Sequence, residues 1–406
     1  MKNRIFLLSI LTIGCSEPKT DSKVAIQEVI VPKKETVIDG LARPWSMAFI
    51  SEEEVLLSEK DGDLLRIDLR TKEKFPIQGF PTDRMDSLHY RKADYTPGTF
   101  PARLEDNIKV TFNAGILEVV LDSDYKDNQR LYISYVSKGP GGSTTKVIRA
   151  TLQNDSLQNC TPLLVALPYS HGLFHYGGGM TFGPDGKLYV TVGERLFNED
   201  NQPEVPIAQD LADTRGKIYR LNPDGSIPED NPDFGTDAVP GLYASGIRAA
   251  QGITVEPQTG KLWFSEHGTR QGDEINVLKE GANYGWPVIT TGKYRGEAYS
   301  PEKIVGTVYT NPQWYWLQTV APTGLTFYTG EEFPSWKNNL IVPGLSRGSL
   351  WRIRLEGETI KSMEELFIDD RQRSRKAVQS PEGKLYILTE DMKEPKNGKI
   401  IRIRPQ

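Results

Sequence analysis

The sequence predicts an all-β chain folded as a six-bladed β-propeller, with one long insertion on its rim. Three observations carry this: a turn-rich composition, a strand–turn–strand phrase that recurs six times, and a spacing between copies that suits four-stranded blades. The 406 residues include 37 Gly and 27 Pro, which favours many short strands over long helices. Both signs of charge are dispersed and the net charge is −5, so no basic face marks a nucleic-acid partner.

The N-terminus differs from the rest. Lys2 and Arg4 precede an apolar run over residues 5–13, which is too short to span a bilayer and has the form of an export signal. The run ends Leu11-Thr12-Ile13-Gly14-Cys15, like a bacterial lipobox with its small residue before cysteine. Residues 1–15 are therefore expected to be a lipoprotein signal peptide, residues 16–35 a polar tether, and residues 36–406 the propeller. An ordinary cleaved signal with an incidental cysteine is the alternative. With Cys15 acylated, membrane contact runs through that anchor alone, on the periplasmic or cell-surface side of a bacterial membrane. Only Cys160 is then left, so no disulfide framework exists.

The repeats follow. Phe182-Gly183-Pro184-Asp185-Gly186-Lys187-Leu188, Val255-Glu256-Pro257-Gln258-Thr259-Gly260-Lys261-Leu262 and Gln379-Ser380-Pro381-Glu382-Gly383-Lys384-Leu385 each place a Pro/Gly turn between alternating apolar runs. Looser copies start near Met47, Val119 and Leu325. Six units thus begin near 47, 119, 180, 252, 325 and 378, and a blade needs about 40 residues plus loops. No unit can bury both faces of its own sheet, whereas radial packing lets each cover the next. A β-sandwich of similar strand density is the competing architecture. Residues 76–107 carry Tyr, Arg and Asp without periodicity and are expected to lie over one rim.

Propellers bind ligands at the mouth of the central channel, on loops from several blades. Only four His occur, and His175 and His267 both lie in glycine-rich loops. His175 precedes three glycines, and Glu194 follows at the far end of the same hairpin, where it can meet the imidazole. A carboxylate on one ring nitrogen fixes the tautomer and frees the other as a base; a polar rim histidine is the plainer reading. Arg371, Arg373 and Arg375 lie within five residues and read either as an anion site or as a solvated basic face.

Across these loops the sequence resembles the glucose/sorbosone dehydrogenase family, which includes soluble quinoprotein glucose dehydrogenases and aldose sugar dehydrogenases. The resemblance rests on the joint order of Asn113-Ala114-Gly115-Ile116-Leu117, His175-Tyr176-Gly177-Gly178, Arg248-Ala249-Ala250-Gln251-Gly252, Glu266-His267-Gly268, Gly272-Asp273-Glu274-Ile275-Asn276, Asn283-Tyr284-Gly285-Trp286-Pro287, Val320-Ala321-Pro322-Thr323-Gly324 and the Arg373/Arg375 pair. It implies a propeller holding pyrroloquinoline quinone (PQQ) and Ca²⁺ at the channel mouth, a sugar substrate and a separate electron acceptor. It further implies His175 as general base, Glu194 as its orienting acid, and Arg248 against the quinone oxygen. Gly268 and Thr269 would offer main-chain carbonyls to Ca²⁺, and Arg373 and Arg375 would bind the cofactor's carboxylates. Asn113, Gln251, Trp316 and Thr319 fall in cofactor or substrate stretches. Three positions depart from the pattern: Gly179 replaces an arginine, Ala249 an asparagine, and Ser346 a lysine, beside Arg347. Each lost charge-assisted contact costs about 1.5–3 kcal/mol, which implies weaker cofactor binding. Two further readings stay open: a propeller of this family that has lost redox activity and binds a glycan or protein, and a Ca²⁺-dependent, lactonase-like hydrolase.

Overall fold

The structure, a computed structural model, describes residues 30–85, 113–172, 174–196, 198–346, 348–394 and 396–406. The signal peptide, Cys15, most of the tether, residues 86–112 of the insertion region and Arg347 lie outside the described residues.

Twenty-four strands form six four-stranded antiparallel sheets. The chain enters through β1 (Pro32–Leu41) and then lays down blade 1: β2 (Pro44–Phe49), β3 (Glu54–Glu59), β4 (Leu64–Asp68) and β5 (Lys74–Pro76). Blade 2 holds β6 (Ile116–Leu121), β7 (Arg130–Gly139), β8 (Gly142–Gln153) and β9 (Ser156–Val165). Blade 3 holds β10 (Gly177–Phe182), β11 (Leu188–Val192), β12 (Lys217–Leu221) and β13 (Leu242–Ser245). Blade 4 holds β14 (Ala250–Val255), β15 (Leu262–Glu266), β16 (Asp273–Val277) and β17 (Trp314–Trp316). Blade 5 holds β18 (Thr326–Phe327), β19 (Leu340–Pro343), β20 (Leu350–Glu356) and β21 (Thr359–Leu366). Blade 6 is β22 (Ser374–Gln379), β23 (Leu385–Thr389) and β24 (Gly398–Pro405), completed by β1 in the order β1-β24-β23-β22.

The six repeats of the sequence are these six innermost strands with their hairpins. The shared Pro/Gly phrase works because the turn needs a left-handed residue: Gly186, Gly260 and Gly383 have φ of +71°, +74° and +82°. The innermost strands contact one another in cyclic order, β22 against β2 closing the ring. One apolar cluster fills each blade interface, from Leu56 and Ile133 between blades 1 and 2 to Leu388 and Leu57 between blades 6 and 1. The propeller is therefore held by sheet-to-sheet burial, as the repeat predicts.

One boundary shifts. Residues 32–35, expected in the tether, already belong to β1 and pair with β24 from Pro32↔Pro405 onward. The described start of the insertion runs along the end of β7, with an Arg84↔Ser137 bridge and Met85 N donating to Val136 O at 2.8 Å.

The channel wall shows a recurring device. Ser58, Ser134, Thr191 and Ser265, all on second strands, donate to the carbonyls of Leu117, Gly178, Ala250 and Thr323, each in the next blade. These buried hydroxyls satisfy the inner carbonyls that the twisted sheets leave unpaired.

Candidate active site

All first strands begin, and all second strands end, at one mouth of the channel. Residues just before a first strand and just after a second strand therefore converge there, and most of the chemically capable side chains occupy these two positions.

His175 precedes β10 and Glu194 follows β11. The imidazole is 9 % exposed and Glu194 is buried, with Nδ1 to Oε1 at 3.8 Å. That is an ion-pair distance but too long for a hydrogen bond, and Nδ1 has no hydrogen-bond partner. Glu194 Oε2 accepts from Gln202 Nε2 at 2.8 Å. Burial, then the positive charges of Arg248, His267, Arg295 and Arg195, hold His175 well below the ordinary imidazole range. Burial pushes Glu194 up to about 7 against the pull of Arg248. The pair is thus a neutral imidazole beside an acid that ionises near neutrality.

Arg248 precedes β14, stacks over Trp286 at 5.0 Å, and donates through Nη1 to Gly268 O at 2.5 Å and His267 O at 3.3 Å. Its Nε and Nη2 are buried without partners among the described residues. The 267–273 loop is fixed by Asp273, which accepts from Gly268 N at 2.8 Å and from Val320 N and Ala321 N at 2.7 Å. Thr269 O accepts from Arg295 Nη2 at 2.7 Å. The two carbonyls expected to meet a cation therefore each face a guanidinium.

The third group surrounds Glu390, which follows β23. Its Oε1 accepts from Arg375 Nη2 at 2.9 Å and from Arg373 Nε and Nη2 at 3.0 and 2.9 Å. Lys60 Nζ and Arg43 Nε approach Oε2 at 3.7 and 3.9 Å. Burial opposes ionisation of Glu390, but Arg375, Lys60, Arg43 and Arg373 together hold it well below the usual carboxylate range. Asp61 pairs with Arg43 at 3.1 Å. Three guanidinium groups and Lys60, which burial and Arg43 hold well below the ordinary lysine range, thus share two carboxylates, leaving an excess of positive charge around the Trp45 ring, which Arg375 and Lys60 flank at 4.3 and 5.1 Å. Such an excess suits a multiply charged anion.

Gln251 links the groups: its Oε1 accepts from Arg375 Nη1 at 2.7 Å and its Nε2 lies 3.5 Å from His267 Nδ1. Asn113 joins through Lys60 Nζ at 3.1 Å. The structure therefore brings His175, Glu194, Arg248, Gly268, Thr269, Gln251, Arg375, Arg373 and Asn113 to one mouth. Thr319 lies at its exposed margin, its hydroxyl donating to Arg270 O. Trp316 stands apart: its indole packs against Trp351 between blades 4 and 5 and is 3 % exposed. Ser346 is exposed.

Sequence reading missed Arg43, Lys60, Glu390, Asp273 and Arg295. The available signal was Ser/Thr-Glu closing a second strand, as in Ser58-Glu59, Ser265-Glu266 and Thr389-Glu390.

A family model described as Glucose / Sorbosone dehydrogenase matches residues 41–402. The chain is 29 % identical over 383 residues to the aldose sugar dehydrogenase YliI of Escherichia coli strain K12, covering 92 % of each protein. It is 30 % identical over 351 residues to quinoprotein glucose dehydrogenase B of Acinetobacter calcoaceticus, covering 68 % of this chain and 73 % of that protein. The apo crystal structure of the soluble aldose sugar dehydrogenase from Escherichia coli superposes with a TM-score of 0.78 at 27 % identity, covering 93 % of this chain and all of that one. Repeat, ring and mouth thus agree with a match that spans nearly the whole propeller: the chain belongs to the glucose/sorbosone dehydrogenase family.

Proposed function

We propose that the protein is an oxidoreductase that oxidises a hydroxyl of an aldose sugar, using PQQ and Ca²⁺ at the channel mouth. One observation carries the reading: an imidazole backed by an acid shares a single mouth with a cluster of three guanidinium groups and Lys60 around Glu390. That cluster fits a carboxylate-bearing cofactor, with Arg373, Arg375, Lys60 and Arg43 as the groups to hold it. The Gly268 and Thr269 carbonyls are hard oxygen donors suited to Ca²⁺, and a cation there displaces the two guanidinium groups that now face them. Held by these residues, a quinone would supply a hydride acceptor for the sugar carbon, and Ca²⁺ on the Gly268 and Thr269 carbonyls would supply Lewis acidity.

The protein's part is proton handling and positioning. His175 Nε2 makes no hydrogen bond among the described residues and takes the proton of the sugar hydroxyl. Glu194, ionised and 3.8 Å from Nδ1, stabilises the imidazolium as it forms. The partnerless Nε and Nη2 of Arg248 supply donors where negative charge develops. Electrons then pass to a separate acceptor. We further propose that acylation at Cys15 anchors the protein on the periplasmic or cell-surface side; Cys15→Ser would then shift it from the membrane to the soluble fraction.

The test mixes apo-protein with PQQ and CaCl₂ and follows bleaching of a dye acceptor against a panel of aldoses. Bleaching should need both additives and fall about 10²–10⁴-fold in His175→Ala. Glycan binding without bleaching, or lactone hydrolysis with CaCl₂ alone, would overturn the proposal.

A further inference from the structure

Arg195 is a fully buried cation with no carboxylate at ion-pair distance among the described residues, next in sequence to Glu194. At 1 % exposure, a charge in this position is tolerated only if its donors are well used. Its Nη groups serve the residues before His175 and Ser143 at the start of β8, while Nε is buried without a partner among the described residues. Nη1 donates to Phe174 O at 2.5 Å, and Nη2 donates to Gly172 O and to Ser143 Oγ and O at 3.1 and 3.3 Å. The guanidinium lies on the Tyr176 ring at 3.4 Å. Tyr176 in turn shares a 2.8 Å hydrogen bond with Ser143 Oγ and reaches Gly172 O at 3.3 Å. Thus the residues on both sides of His175, and the carbonyl three residues before it, are gripped by one planar fork and the ring beneath it.

The loop needs such a grip. His175 has φ +55° and Arg195 itself +75°, a region that costs a side-chain-bearing residue of order 1–3 kcal/mol and persists only when its surroundings over-determine it. The fit is close from the other side as well. A Cβ at Gly193 would stand 2.0 Å from His175 O, and one at Gly172 would stand 2.1 Å from Arg195 O.

We propose that Arg195 is a positioning residue for His175, holding it in its left-handed conformation through Gly172 and Phe174 so that the imidazole faces Glu194 and the channel. This rests on the proposed role of His175 as base. A lysine keeps the charge but, as a single point donor, cannot span Gly172 and Phe174 together.

The test has two arms. In the first, Arg195→Met, which fills the slot without donors, and Arg195→Lys are assayed with PQQ, CaCl₂ and an aldose. The expected result is a fall in kcat of at least about tenfold in Arg195→Met with KM changed less than about threefold, and partial rescue in Arg195→Lys. In the second, the apo-proteins are labelled with ¹⁵N-histidine, and the His175 ring resonances, identified by loss in His175→Gln, are compared. They should move in Arg195→Met and move less in Ser143→Ala, which removes one acceptor and leaves the packing in place. Should Arg195→Met not fold, Ser143→Ala decides. Unchanged His175 resonances in a folded variant would overturn the proposal. If the wild-type protein bleaches no dye, the proposed function fails, while the resonance arm still decides whether Arg195 sets the His175 loop.

Discussion

His175 and Glu194 sit 3.8 Å apart with their proton affinities driven in opposite directions. The imidazole is neutral well into the acid range, so the ionisation that switches the pair on is that of the acid. The expected outcome is a kcat/KM that rises with pH through about 7, and Glu194→Gln should remove that limb along with most of the rate. The same group affects stability with a definite sign. Its folded value lies above the ordinary 4.5, so its contribution is fully present below about 4.5 and is lost as the pH rises through about 7. Thermal melts of the wild type and Glu194→Gln across that window should therefore converge on the acid side, where both side chains are neutral, and separate on the alkaline side, where the wild type carries a buried charge. Arg295 gives an independent check, because its guanidinium occupies the Thr269 carbonyl. Calorimetric titration with CaCl₂ should show tighter binding in Arg295→Ala than in the wild type; equal or weaker binding would place the cation elsewhere.

At the scale of strands and loops, the repeat was readable because a left-handed turn admits few residues. The same demand wrote Gly186, Gly260 and Gly383 into three copies with almost the same neighbours. His175, Glu194, Arg248 and the Arg373/Arg375 pair were readable because each interrupts a strand pattern with a residue type no strand requires. Glu390 was missed, for the Thr389-Glu390 signal recurs at other second strands, and its meaning arises only where Lys60 and Arg43 arrive from the far end of the chain to join Arg373 and Arg375. Trp316 misled in the opposite way. The resemblance placed it in a cofactor or substrate stretch, but its indole packs against Trp351 in the blade interface. The Glu390 cluster carries its own prediction. Glu390→Gln leaves three buried or half-buried guanidinium groups and Lys60 facing Asp61 alone among the carboxylates identified there, which should cost about 3–5 kcal/mol in a denaturant titration. Added PQQ should recover part of that loss, since its carboxylates meet the same cations.

The whole molecule is a closed ring, and closure depends on a strand from each end of the chain. β1 pairs with β24 over its full length, and Ile38 and Leu41 are buried against the last blade. Removing residues 30–41 strips the outer strand from blade 6 and uncovers its apolar edge, so that blade should unfold ahead of the rest and broaden the calorimetric transition. Closure also explains why one mouth can collect residues from position 43 to position 390: six radial sheets point the same ends of their strands at one axis. The account stands or falls on what happens at that mouth. The most direct measurement is single-turnover reduction of the PQQ-loaded, Ca²⁺-loaded protein by an aldose carrying deuterium at the oxidised carbon, compared between wild type and His175→Ala. The account predicts a primary isotope effect in the wild type and a rate about 10²–10⁴-fold lower in the variant. Reduction at equal rates in both proteins, or cofactor that binds and is never reduced, would contradict it.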